Sequence, residues 1–597
     1  IHVTHSGIIL NSHMNLSLFQ VKDNEITVLY GVGGIAFHPA IQVANSSVFS
    51  PSTTNGIVRD NKITLAENAS HGIQLLSSRG FIVWENDVEC TYPTSNRHGI
   101  DLDGGSQNWV WENTINGISA TSANGLYTYS PAGIHGRMCG QSMYTCNNVS
   151  FLNTGLFYEG ANNTLLLYSN EMVQHNRGLL IQNGPIGAQN NTLNRWVSPG
   201  TNFSVYGAQI ISTPPAASSF LYNSSINSYY LPPSINVSGW FTPSATVNSD
   251  FCTTLDLVTA KALIHPVATN SDYRIAAGDS LSDNFVSSVL YQSRRQLYKE
   301  LLENNSLLTD TTIANFFTAT QASNIGRYDS LEKFIDSLYK IDSTQQYVLD
   351  SLQDIVGGLR VLIALNDSII LSDTVGRQIP TYRQLNDSLW GLIEREYLGI
   401  DSITDTINVQ RYNHAASLDE SVDALIAYND IERNLKSVYH IQLRSLALDT
   451  TGLDENIQGE LEALIYQCPL EGGDAVQMSR ALYYLLNDTI DYSDSCTETE
   501  FELRTRRTEP KKSLTPLFGL YPNPGTDYVT VSYQNITAQN LELKLFSVNG
   551  ELLDIIRLNP LSHSYTFDVR RYSNALIICR LFGDSVNLYT TRLMLIH

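Results

Sequence analysis

"HGIQLLSSRGFIVWENDV", His71 to Val88, is followed 27 residues later by "HGIDLDGGSQNWVWENTI", His98 to Ile115. The offset pairs Gly72 with Gly99, Trp84 with Trp111, Glu85 with Glu112 and Asn86 with Asn113. Looser copies lie on either side. They are "SLFQVKDNEITVL" from Ser17, "GIVRDNKI" from Gly56, "CNNVSFLNTG" from Cys146, "TLLLYSNEM" from Thr164 and "RGLLIQNGPIGAQNNTL" from Arg177. Each copy joins short apolar strands to an Asn at a turn. One such unit cannot bury its own apolar face, but a stack of them can. Asn24, Asn61, Asn86, Asn113, Asn153, Asn170 and Asn191 are expected to form an internal ladder, each amide bonding the next.

This stretch, residues 1–250, is similar to the right-handed parallel β-helix family. A Greek-key sandwich is the alternative, and coil-to-coil repetition does not favour it. The opening "IHVTHSGIILNSHMNLSLFQ" lacks the basic start and apolar core of a signal peptide and reads as the middle of a domain.

On a strand, residues i and i+2 share a face. In "GIDLDGG" Ile100 and Leu102 are expected to point inward, Asp101 and Asp103 outward. In "NWVWEN" Val110 points in, Trp109 and Trp111 out. Trp84 is expected to stack one coil from Trp111, with Arg59 one coil further. Rows of Trp suit the apolar faces of sugar rings. Outward carboxylates could hold Ca²⁺ or do acid–base work on a glycosidic bond. "AGIHGRM" adds His135 and Arg137. Asp101, Asp103, His135 and Arg137 are therefore the candidate catalytic set of a polysaccharide lyase or hydrolase. Trp84, Trp109 and Trp111 are the candidate carbohydrate contacts. The competing reading is structural: such Asp and His residues cap turns, and such Trp rows pack beneath loops. The Asp-Asp and Gly-His-Gly signatures of β-helix pectin hydrolases are not present. His71 and His98 are read as structural, because no third metal ligand accompanies them.

Residues 251–500 change character. Apolar residues recur at i, i+3, i+4 and i+7 in stretches such as "SLEKFIDSLYKIDSTQQYVLDSLQDIVGGL" and "YRQLNDSLWGLIEREYLGI", which predicts helices stacked as hairpins. No catalytic motif is visible there. Asp followed by Ser or Thr and then an aliphatic residue or Thr recurs throughout, at Ser280, Thr311, Ser330, Ser337, Ser343, Ser351, Ser368, Thr374, Ser388, Ser402, Thr406, Thr450 and Thr489. The tripeptide resembles the acceptor of the general O-glycosylation system of Bacteroidota. Helix capping explains the Asp and the hydroxyl but not the third residue.

Seven cysteines are present. Cys139 with Cys146 and Cys468 with Cys496 are the expected disulfides, Cys90 with Cys252 a third, and Cys579 a buried thiol. Disulfides imply an oxidising compartment. The chain carries 36 Lys+Arg against 58 Asp+Glu, a net charge of −22. That argues against nucleic acid or an anionic membrane surface as a partner. No continuous apolar run reaches the length of a membrane span.

A basic, proline-punctuated linker, residues 501–516, precedes the last segment, residues 517–597. "LYPNPGTDYVTVSY" (Leu520 to Tyr533) sets a proline turn before an alternating strand. "LELKLFSVNGELL" follows, with an Asn-Gly hairpin signal at Asn549-Gly550. In order and spacing this resembles the type A C-terminal sorting domain of type IX secretion cargo in Bacteroidota, with Tyr521, Pro522, Asn523, Pro524, Asn549 and Gly550 as its marker residues. Two features depart from that pattern: Ser573-Asn574-Ala575-Leu576 replaces the usual turn, and the ending is "RLMLIH". The resemblance implies a small β-sandwich read by the outer-membrane type IX machinery, and a destination outside the cell or on its outer surface. The resulting expectation is a non-enzymatic adhesion, matrix or carbohydrate-contact protein. A β-helix lyase or glycosidase and a subunit of a surface appendage are the alternatives.

Overall fold

The structure, a computed structural model, divides into two compact units, Ile1–Cys496 and Thr497–His597. In the first it describes residues 20–28, 39–44, 56–65, 71–91, 98–117, 132–190, 193–197, 205–223, 228–244, 268–338, 341–373, 376–444 and 455–484, with 2–3, 8–11, 46, 252, 492 and 496. In the second it describes residues 517–521, 528–534, 540–547, 552–559, 564–572, 576–584 and 586–595.

In the first unit the chain visits three parallel sheets in rotation, the first holding Asp87–Cys90, the second Ile73–Arg79 and the third Ile82–Trp84, and a short fourth parallel sheet, Gln189–Asn190, Phe220–Asn223 and Phe241–Ser244, follows. One circuit is one coil. The coil containing Ile73–Arg79, Ile82–Trp84 and Asp87–Cys90 pairs with the coil containing His98–Ser106, Trp109–Trp111 and Thr114–Asn116. Ile73 lies opposite Ile100, Trp84 opposite Trp111 and Val88 opposite Ile115, the register that the repeat predicts. Columns of Ile26, Ile63, Val88, Ile115, Val149 and Met172 and of Val58, Val83 and Val110 fill the interior. Burial of such columns is the main favourable term for a repeating fold. Glycine recurs at the coil starts because neighbouring coils nearly touch there. A Cβ on Gly99 would lie 2.5 Å from an Ile115 methyl carbon and 2.8 Å from the Gly133 carbonyl oxygen.

The turn after each third-sheet strand explains the Asn ladder. The residue before each ladder Asn is left-handed: Asp23, Asp60, Glu85, Glu112, Cys146, Ser169 and Leu193 have φ between 50 and 57°. The following Asn turns its amide into the coil. Asn24 donates to Asn61, Asn61 to Asn86, Asn86 to Asn113, Asn113 to Asn147, Asn147 to Asn170 and Asn170 to Asn194, at 2.8–3.0 Å. One expected rung is corrected. Asn147 stands in the ladder, while Asn153 makes a separate bond with Asn176 at 2.8 Å. Asn170 donates to Asn194, and Asn191 lies outside the described residues.

The helices are α1 (Asn270–Ala277), α2 (Val286–Glu303), α3 (Thr311–Gln321), α4 (Asn324–Ser337), α5 (Ser343–Ser372), α6 (Ile379–Asp423), α7 (Asp430–Gln442), α8 (Glu455–Ile465), α9 (Pro469–Gly472) and α10 (Asp474–Tyr483). They do not form a separate body. Helix α10 packs on the outer face of the second sheet, where Ala481 joins Ala44 and Leu76 in one apolar cluster. α5 and α6 form the one long hairpin among the described residues. By length and composition α5 is apolar enough to cross a membrane. The sequence expectation missed this because single Asp, Ser and Gln residues interrupt every apolar run.

The second unit has a three-stranded antiparallel sheet (Leu517–Tyr521, Tyr528–Gln534, Ser564–Asp568) and a four-stranded one (Leu552–Leu558, Leu541–Ser547, Leu576–Gly583, Val586–Met594). Val531, Leu543, Phe567, Cys579 and Leu593 from both sheets share one core. The strands flanking Asn549-Gly550 pair antiparallel, as a hairpin requires. Pro522, Asn523, Pro524, Asn549 and Gly550 themselves lie outside the described residues.

Candidate functional site

The outer face of the second sheet brings Asp101, Asp103, His135 and Arg137 together. Asp101 lies opposite His135, and Asp103 opposite Arg137. The parity argument holds, since Ile100 and Leu102 fill the core. Outward does not mean open here. The four residues are 1–5% exposed. His135 Nδ1 lies 2.7 Å from Asp101 Oδ1, and Gln74 donates to Asp101 Oδ2 at 2.9 Å. Gln42 donates to Gln74 at 2.7 Å, extending the row by one coil. Arg137 donates to Asp103 at 3.2 Å and to Glu159 at 3.0 Å. Burial alone raises the Asp101 carboxyl, but His71 and the hydrogen-bonded His135 outweigh it and hold the group well below the usual range.

His71, His98 and His135 continue as a stack, with ring centroids 5.3 and 4.3 Å apart, capped by Phe157 at 4.9 Å. Burial, with His135 alongside, holds His98 well below its ordinary pKa and therefore neutral. The expectation that His71 and His98 lack a third partner is corrected. Potential ligand atoms of His71, His98 and Asp101 all lie within 4.8 Å of one another. The Asp101 carboxylate is, however, already engaged by His135 and Gln74.

The tryptophan row forms as expected. Trp84 stacks on Trp111 at 4.9 Å, Trp109 on Trp111 at 4.7 Å, and Arg59 lies 5.4 Å over Trp84. Trp109 is buried and donates to Thr145 at 2.5 Å. The indole faces that a sugar ring would use are thus largely covered by one another and by Arg59, while the edges of Trp84 and Trp111 remain half-exposed.

Two disulfides are present, Cys146–Cys252 and Cys468–Cys496. The second is the expected pair. The pairing of Cys139 with Cys146 is corrected, and with it that of Cys90 with Cys252. Cys139 is a free thiol in the coil interior, its Sγ 3.1 Å from the Leu102 carbonyl, whereas Cys146 occupies a left-handed turn position. Cys90 is free, and Cys579 is free and buried as expected.

Of the Asp-Ser/Thr sites, Ser280, Thr311, Ser330, Ser337, Ser343, Ser351, Ser368, Ser388, Ser402 and Thr406 are exposed. Thr374, Thr450 and Thr489 lie outside the described residues. Capping accounts for Asp310 at α3 and Asp342 at α5. Asp329, Asp336, Asp350, Asp367, Asp387, Asp401 and Asp405 stand inside helices, where capping explains nothing.

The sequence did not disclose a cleft between the coils and the helices, with a cavity of about 90 Å³. Arg79 of the second sheet faces Arg295 and Lys299 of α2, Glu332 and Asp336 of α4, and Asp474 of α10 across it. Arg295 reaches Glu332 at 2.8 Å and Asp474 at 2.6 Å, Lys299 reaches Glu332 at 2.7 Å, and Arg79 lies 3.7 Å from Asp336. Burial pushes Asp336 up to about 7. Burial acts on Glu332 too, but Lys299 and Arg295 more than offset it and hold that carboxyl below its usual range. Two carboxylates one helical turn apart thus differ in charge state near neutrality, the arrangement that acid–base chemistry uses. Only their i, i+4 spacing was visible beforehand.

No curated protein and no solved structure matches the chain. Residues 519–593 match the family model of the secretion system C-terminal sorting domain. The match coincides with the two-sheet second unit. The chain carries the sorting tail of type IX secretion cargo, which directs it to the outside of the cell or to the cell surface and implies contact with the type IX machinery.

Proposed function

We propose that this exported protein is a non-enzymatic contact or matrix protein whose coiled sheets, a right-handed parallel β-helix, serve as its rigid carrier. The observation that carries the reading is the burial of Asp101, Asp103, His135 and Arg137 within hydrogen bonds to one another and to neighbouring coils. A polysaccharide cannot reach groups that are at most 5% exposed. Their role is cohesion: charge-assisted bonds between coils replace water that burial removed. The exposed hydroxyls at mid-helix Asp-Ser/Thr sites support O-glycosylation of the helical region. The test is reducing-end release from a polysaccharide panel by the full chain and by Asp101→Asn. No release above blank, with a lowered thermal midpoint for Asp101→Asn, is expected. Release by the wild type that Asp101→Asn abolishes at unchanged midpoint overturns the reading.

The cleft favours a second reading, a site for a small polar ligand held by Arg79 and Asp336. Its check is thermal stabilisation by monosaccharides and uronic acids, lost in Arg79→Ala.

A further inference from the structure

α5 and α6 pack as an antiparallel coiled coil. Leu349, Val356 and Ile363, seven residues apart, are the buried a positions of α5, with Leu352, Leu359 and Asn366 at d. Asn386 and Ile393 (a) and Leu389 (d) answer from α6. The buried Asn366 donates to Asn386 at 2.8 Å and so fixes the register, a recognised use of a polar core residue. Arg360 to Tyr397 at 2.8 Å and Gln345 to Gln410 at 3.2 Å continue that register.

The two flanks of this seam differ. In an antiparallel pair, e positions face e and g positions face g. The e flank is polar on α5, with Gln346, Gln353, Arg360 and Asp367, and is bridged by the Arg360–Tyr397 bond, Trp390 of α6 being 47% exposed beside it. The g flank holds Val348, Ile355, Leu362 and Ile369 from α5 and Leu385 and Leu392 from α6. Val348, Ile355 and Leu362 are 37, 45 and 48% exposed, Leu385 and Leu392 45 and 37%. α5 is therefore apolar at a, d and g. That is the wider face of a helix inside a bundle, not the a/d seam of an isolated pair. Its charges, Asp350, Asp354, Arg360 and Asp367, all stand at b, e or f, and c and g carry none. Gly358, at c beside the stripe, meets nothing within 4 Å of an added Cβ, so no contact among the described residues accounts for a glycine that costs a helix up to about 1 kcal/mol.

We propose that the g stripe is covered by the same stripe of a second copy, two hairpins forming a four-helix bundle. A 30-residue helix is about 45 Å long and about 10 Å wide. A hairpin face is then about 900 Å², and two faces bury about 1,800 Å², the size of a stable interface. The three Asp residues and Arg360 of α5 make a bilayer the poorer occupant. Ser351, Ser388 and Ser402 stand at c positions bordering the stripe, so modification there and pairing exclude each other. The inference stands whether or not the chain is catalytic.

The test is sedimentation velocity of the full, unmodified chain over a concentration series, for wild type, Ile355→Asp/Leu362→Asp and the f-position control Val361→Asp. The expected result is a reversible dimer for wild type and control. In the double variant, dimerisation should weaken at least about a hundredfold with unchanged circular dichroism. If that variant misfolds, Ile355→Ser/Leu362→Ser replaces it. A wild type that stays monomeric, or a dimer that the folded variant leaves intact, overturns the proposal. A monomer that floats with lipid vesicles also overturns it and assigns the stripe to a bilayer.

Discussion

In the coiled sheets the ladder asparagines are inside and hydrogen-bonded from coil to coil; on the α5–α6 hairpin the g-position aliphatic side chains are outside and half-exposed. Asn113 is fully buried and bonds the coils on both sides, whereas Leu362 is half-exposed. Both regions repeat, one by coil and the other by heptad. Their difference lies in where the next repeat comes from. Each coil finds its neighbour along the same chain. The hairpin's second seam finds none among the described residues, which is why a partner copy is the natural completion. Self-sufficient burial identifies the carrier, and unfinished burial identifies the contact element.

The largest expected effect tests the coil side. Asn113→Ala removes bonds to Asn147, Val83 and Trp111 and strands Asn86. A loss on the order of 3 kcal/mol or more is expected in denaturant titration. Asn24→Ala, at the half-exposed end of the ladder, should cost about 1 kcal/mol or less. Equal losses would mean that the ladder adds nothing beyond local turns.

Cys146→Ser opens a disulfide spanning 106 residues, with an expected loss of about 2–5 kcal/mol and a thermal midpoint whose response to reductant shrinks to that of Cys468–Cys496. The hairpin's own circular dichroism should not change.

Glu300 of α2 is a smaller lever. Burial, with Asp272 and Glu303 nearby, pushes its carboxyl up to about 8, and both oxygens lack a partner among the described residues. The folded state therefore holds a proton that the unfolded chain has released, so stability falls as pH rises from about 5 to 8. Asp336, pushed up to about 7, adds to the same trend. Glu300→Gln should flatten that slope and stabilise the protein at pH 8 by about 1–3 kcal/mol. A slope unchanged by Glu300→Gln would place the titrating group elsewhere.

Smallest is the effect of the stripe on the single chain. Ile355→Asp should change monomer stability by no more than about 0.5 kcal/mol while disrupting association. A large loss in the monomer would show that the stripe is packed within the chain.

Much of this was legible in the sequence. The 27-residue repeat carried the register, the strand parity of Asp101 and Asp103 and the Trp84–Trp111 stack. Asn153 misled because "FLNTG" offers an Asn near a turn, and "NNTLN" holds Asn194, which the sequence reading passed over. Only the left-handed residue before Asn147 and Asn194 distinguishes the true rung. Cys139 and Cys146 lie close in sequence, but backbone direction puts one thiol in the core and the other at a turn. Burial of the catalytic candidates was invisible because their partners Gln74, His71, Phe157 and Glu159 come from neighbouring coils and meet them only through register. The cleft was hidden for the same reason: Arg79 and Asp336 meet only through tertiary packing. The sorting tail was the most readable part, since its signature is local.

The most direct measurement is hydrogen–deuterium exchange of the full chain across a concentration series. Strands 98–106 and 132–137 should exchange as slowly as the buried core at every concentration. Segment 343–423 should be weakly protected when dilute and protected when concentrated. Fast exchange at 98–106 and 132–137 would contradict the account, because it would mean that Asp101 and His135 face an open site and do not tie the coils together.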